Sequence, residues 1–177
     1  MNQGVCWQPP FSDQFGNGMV YRLFTMEGIP YAVGFEEIPT MYDLNSKGID
    51  ILSAYPNFRF SSNGVWAVVF DEVDPVIMDF KGFQHVQHTG LLGGKVLLNV
   101  ASIIYDHYTL CHAGAYVFSA ATDPQYLRQT DLVDIYNGLL GLNGKSKSRL
   151  FGRLVGWEAF SDTAIGGRGY VITTQSY

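Results

Sequence analysis

Gly93-Gly94-Lys95-Val96-Leu97-Leu98-Asn99-Val100-Ala101-Ser102-Ile103-Ile104-Tyr105-Asp106-His107-Tyr108 is the stretch on which the fold turns. Val96, Leu97, Val100, Ile103, Ile104 and His107 recur at three- and four-residue spacing, which gives a helix one apolar face. The spacing predicts a helix from about Lys95 to Tyr108. On its N-terminal side a polar, glycine-containing loop runs from Gln84 to Gly94, and before that the chain reads as strands.

Moving toward the N-terminus, Val76 to Phe80, Val65 to Phe70 and Phe58 to Ser61 are β-rich runs. Ser62-Asn63-Gly64 supplies the positive φ angles of a tight hairpin between two of them, and Val73-Asp74-Pro75 separates the other two. The expectation is a three-stranded antiparallel meander. Pro39 to Tyr55 breaks the β pattern and reads as one or two short helices interrupted at Gly48. Met19 to Thr25 and Ile29 to Glu36 flank Met26-Glu27-Gly28 and predict a further hairpin. The first 18 residues, with Pro9, Pro10 and three glycines among aromatics, read as an irregular arm.

Moving toward the C-terminus, Ala115 to Ala121 is a short apolar strand. Asp123-Pro124 then marks a helix start, since aspartate caps free amides and proline pre-sets the first helical φ. The helix it opens places Leu127, Val133, Tyr136 and Leu140 on one face and stops at Gly141. A β pair, Leu150 to Phe160 and Gly169 to Thr174, ends the chain. The fold class expected is α/β (α+β): a mixed, largely antiparallel central sheet flanked by helices, as one domain over residues 1–177.

Hydrophobic residues are 47% of the chain and charged residues only 15%, a balance that excludes a disordered or coiled-coil protein. So few charges and an aromatic content of 15% predict an exposed apolar patch, and with it self-association or a protein partner. A net charge of −5 disfavours broad binding to nucleic acid or anionic membrane. Cys6 and Cys111 are too few for a disulfide framework and too distant for a metal or redox pair, which fits a reducing, cytoplasmic setting. No run approaches the apolar length of a membrane span, and no leader pattern opens the chain.

Three antiparallel strands, a glycine loop, a helix, a strand, a second helix and a terminal β pair resemble the order of the GNAT acyltransferase superfamily, over roughly residues 58–177. The glycine loop, Gln87-His88-Thr89-Gly90-Leu91-Leu92-Gly93-Gly94-Lys95, resembles the family's Gln/Arg-x-x-Gly-x-Gly/Ala, whose amides hold the pyrophosphate of acetyl-CoA. Gln87 and Gly90 match its spacing, Leu92 stands where the family has Gly or Ala, and Gly93, Gly94 and Lys95 offer the close approach and charge a little later. The resemblance therefore implies acetyl-CoA as cofactor, bound by Gln87, Gly90, Gly93, Gly94 and Lys95, and an amine as acceptor.

Leu132 to Leu142 resembles the ending of the family's fourth helix and puts Tyr136 where many members keep the tyrosine that protonates the departing CoA thiolate. The spacing to the glycine differs by one residue, and Leu142 replaces a phenylalanine. A tyrosine on an apolar helix face is also what a core residue looks like. The general base the chemistry needs is sought among Asp79, His85 and His88, with Glu72 set in an expected turn. No spacing of histidine and cysteine points to a metal. The rival expectation is a divergent, phage-borne GNAT-like protein that has lost catalysis and serves as a binding scaffold, a host-protein inhibitor or a virion component. Lys145, Lys147, Arg149 and Arg153 crowd four cations into nine residues, as a solvated loop, a phosphate anchor or a contact for an acidic partner would.

Overall fold

Glu27 and Gly28 both hold positive φ, 51° and 77°, the mirror-image turn whose twist matches that of paired strands. In the computed structural model, which describes residues 5–7, 19–46, 50–74, 76–77, 79–80, 90–122 and 131–177, this turn joins β2 (Val20–Met26) to β3 (Ile29–Ile38). The two pair antiparallel from Val20↔Phe35 to Met26↔Ile29, as the sequence predicts. Part of the expected irregular arm is strand instead: β1 (Val5–Trp7) pairs antiparallel with β2. The two short helices are present as α1 (Met41–Ser46) and α2 (Ile51–Ala54), and the Asp50 carboxylate caps α2 by accepting the Ser53 amide at 3.0 Å.

The expected meander forms only in part. The turn before Gly64 exists, with the Gly64 amide on the Ser61 carbonyl at 3.2 Å, but residues 58–61 are not a strand. β4 (Val65–Asp74) instead finds a partner distant in sequence, pairing in parallel with β6 (Ala115–Ser119) from Val65↔Ala115 to Ala67↔Val117. Among the described residues of the run Val76 to Phe80, β5 (Asp79–Phe80) is strand, antiparallel to the end of β4, and Val76 and Ile77 are turn.

The helices also differ at their starts. α3 spans Gly90–Cys111, so Gly90 to Gly94 form its first turns rather than a loop before it. α4 is Leu132–Leu140, opened by Asp131, whose carboxylate accepts the Val133 amide, and closed by Gly141 at φ 72°. Asp131 holds extended backbone, so no single helix runs from Asp123 to Leu140; Asp123, Pro124 and Leu127 lie outside the described residues. The final pair is shorter than expected, β7 (Glu158–Ser161) against β8 (Gly169–Thr173).

The fold is thus mixed α+β with mostly antiparallel strands, and among the described residues no helix is long and apolar enough to cross a membrane. The chain groups into two compact units. The first comprises residues 1–36, 68–111 and 123–128, with strand order β1-β2-β3-β4 and β5 on β4. One of its cores is Tyr21, Ala32 and Val73, with Met19, Leu23 and Phe80 packed on it. The second comprises residues 37–67, 112–122 and 129–177, with order β4-β6-β8-β7. Its core gathers Leu44 and Ile51 of the short helices, Phe58, and Val65, Val117 and Val171 of the sheet. Each such fully buried side chain contributes about 1.5–3 kcal/mol.

Candidate functional site

In the first unit the informative residue is Glu72. It lies within β4, not in a turn, and is only 2% exposed. Carboxylates are rarely enclosed so fully, because the charged form loses its hydration. Val73 beside it is buried as well, so both faces of β4 are covered at this point. Tyr31 of β3 is also buried, and its hydroxyl is held well above the usual tyrosine range, first by burial and then by the negative charges of Glu72 and Asp71. The phenol stays protonated beside an acidic strand end.

α3 carries the other ingredients of this unit. The first four amides of an α-helix have no intrahelical carbonyl and point outward with the positive end of the helix dipole. In α3, which begins at Gly90, these include the amides of Gly90, Leu91 and Leu92. Gly94 and Lys95 follow them, both exposed, and a Cβ added at Gly94 would meet nothing within 4 Å. Farther along, Asp106 accepts Arg22 of β2 at 2.9 Å. His107, 4% exposed, stacks on Phe35 with ring centroids 4.0 Å apart, and its Nδ1 lies 3.3 Å from the Cys111 sulfur.

Burial pushes His107 down to about 4 from the ordinary histidine value of 6.5. The unfolded chain therefore takes up a proton near 6.5 while the folded chain resists until about 4, so the His107 contribution is whole above 6.5 and is lost as pH falls to 4. The loss amounts to about 1.4 kcal/mol per pH unit in that window. Urea unfolding of the wild type and of His107→Phe across the window should show the steeper acid loss in the wild type. Parallel curves would contradict it.

In the second unit, Tyr136 sits on α4 at 6% exposure, its ring edge-on to Phe118 of β6 and Tyr170 of β8, with centroids 5.7 Å and 5.6 Å away. Around it runs a polar chain. The Tyr170 hydroxyl donates to Asn137 Oδ1 at 3.1 Å, Asn137 Nδ2 donates to Thr163 Oγ1 at 3.3 Å, and Thr163 shares a hydrogen bond with Ser161 at 2.8 Å. Arg168 donates to the carbonyls of Ala120 and Ala121 and to both oxygens of Asp131, the α4 cap.

The positions expected from the sequence thus fall in different places. Gly90, Gly93, Gly94 and Lys95 share the start of α3, and Asp79 lies in β5 of the same unit. Tyr136 belongs to the other unit. His85, Gln87 and His88 lie outside the described residues. The sequence places Glu72 in a turn, and only the enclosure of β4 marks it. Among the described residues no group of three or more histidines, cysteines or acids is arranged to hold a metal ion. No family model, curated protein or solved structure matches this chain.

Proposed function

We propose that the protein is a GNAT-like acyltransferase that moves an acetyl group from acetyl-CoA to an amine. The observation that carries this reading is the parallel pairing of β4 with β6, strands joined in the chain through α3. In open sheets ligands bind beyond the carboxyl ends of such strands, where the following helix begins. From α3 onward the order helix, strand, helix and β pair follows the resemblance, while the strand expected over residues 58–61 and the glycine loop expected at Gly90 to Gly94 are not formed. The diphosphate of acetyl-CoA suits the free amides of Gly90 to Leu92 in the first turn of α3, where Gly90 has no side chain to hold it off.

Glu72 is the base in this reading, in place of Asp79, His85 or His88. As the amine nitrogen bonds to the acetyl carbon and the carbon–sulfur bond breaks, Glu72, enclosed and so reached only through an intervening water, takes the proton the nitrogen sheds. The thiol product carries the charge away as thiolate or is protonated by solvent. The test is acceptor-dependent release of free thiol from acetyl-CoA, compared between the wild type and Glu72→Gln.

The packing of Tyr136 against Phe118 and Tyr170 favours a second reading for that part of the chain. There the α4 tyrosine holds the core together and donates no proton to a leaving group. If thiol release is absent altogether, the fold serves as a binding scaffold.

A further inference from the structure

The nine residues from Lys145 to Arg153 hold four of the chain's 11 lysines and arginines and no acid, leaving seven cations for all 16 acids elsewhere. All four are exposed. Among the described residues none of them forms an ion pair, whereas Arg22 and Arg168 do, with Asp106 and Asp131. Lys145 reaches only the Asp134 carbonyl, at 3.3 Å, and Lys147 lies over the Phe151 ring, 5.3 Å from its centroid.

The stretch that carries them is firmly built. The Lys145 amide bonds to the Leu142 carbonyl, the Ser148 amide to Leu139, the Gly152 amide to Ser148, and the Arg153 amide to Leu150. Phe151 is buried beneath it. Gly141 is required here, at φ 72° and with the Lys147 backbone nitrogen 2.9 Å from where its Cβ would stand. Lys145 and Lys147 also suit the negative end of α4, whereas Arg149 precedes the short 3-10 turn Phe151–Arg153 and Arg153 ends it, neither lying at the end of α4.

We infer that Lys145, Lys147, Arg149 and Arg153 form a docking surface for a short acidic segment of another polypeptide. Charge selects the occupant. The rest of the chain is strongly acidic, so a long polyanion or an anionic membrane laid on the patch meets repulsion from the remainder of the surface. At physiological salt, screening sets in within about 8 Å, so a short segment feels only the four cations. Guanidinium forks match carboxylates in pairs, and Val155, 79% exposed beside Arg153, gives an apolar residue of the segment a place to rest.

The test is fluorescence anisotropy of a labelled short oligoglutamate peptide at low salt, with oligothymidylate and anionic phospholipid vesicles as competing probes. The peptide should bind and be released as salt rises. Arg149→Glu should weaken it by about tenfold, while Arg59→Glu, an equal change in net charge at an exposed site outside the patch, should do so by less than about twofold. Arg149→Gln and Arg153→Glu guard against a folding defect, with circular dichroism as the check. Equal losses from Arg149→Glu and Arg59→Glu, no binding by the wild type, or tighter binding of oligothymidylate or vesicles would each overturn the inference.

Discussion

Glu72→Gln should lower turnover by about 10²–10⁴-fold, the range for a lost general base, and leave the fold intact. Glutamine has nearly the shape of glutamate but cannot take up the proton, so the defect should appear in kcat with KM for acetyl-CoA little changed. The fold should be retained, because glutamine keeps the shape of the enclosed side chain. Tyr136→Phe is the comparison that separates chemistry from packing. It keeps the ring between Phe118 and Tyr170, and it is expected to leave both the fold and turnover nearly unchanged. Wild-type turnover in Glu72→Gln would remove Glu72 from the reaction.

Gly167→Ala should be strongly destabilising. A Cβ there falls on the Asp162 carboxylate, a buried group whose Oδ1 accepts the Gly169 amide at 2.9 Å at the start of β8. The Gly167 amide in turn donates to the Asp162 carbonyl at 3.0 Å, so the backbone cannot back away without opening the turn between β7 and β8. Overpacking costs about 1–3 kcal/mol. A lost hydrogen bond to a charged group adds about 1.5–3 kcal/mol. For a chain of this length each kcal/mol lowers Tm by about 2–4 °C, so a fall on the order of 10 °C is expected in a thermal melt. Asp162→Gly in the same chain should recover part of it, because it empties the space the methyl needs. A Tm for Gly167→Ala close to that of the wild type would contradict this packing.

What the sequence made legible was local. The β2–β3 hairpin could be read because Glu27-Gly28 decides it by backbone conformation alone, and Gly141 marked the end of α4 for the same reason. At Asn63-Gly64 a turn forms with positive φ at Gly64 alone and no hairpin follows, because the strand after it pairs with β6, a pairing that no local signal carries. The face of α3 was plain from its periodicity and its start was not. Each glycine costs a helix about 1 kcal/mol, which suggests a loop, yet a helix already nucleated gains a hydrogen bond with every residue added. The misplaced start matters for the site, because it moves the free amides to Gly90 through Leu92 and leaves Gly93, Gly94 and Lys95 within the helix. Glu72 was illegible for another reason. A glutamate in a strand usually faces water, and its enclosure depends on residues such as Tyr31 that the chain supplies from a distant strand.

Calorimetric titration of the full chain with acetyl-CoA, and with desulfo-CoA to separate binding from turnover, tests the central claim most directly. Acetyl-CoA is expected to bind with a micromolar Kd, and Gly93→Val should weaken it by more than about tenfold by crowding the helix amides that hold the diphosphate. No heat of binding at millimolar ligand, from a chain shown to be folded, would contradict the acyltransferase assignment.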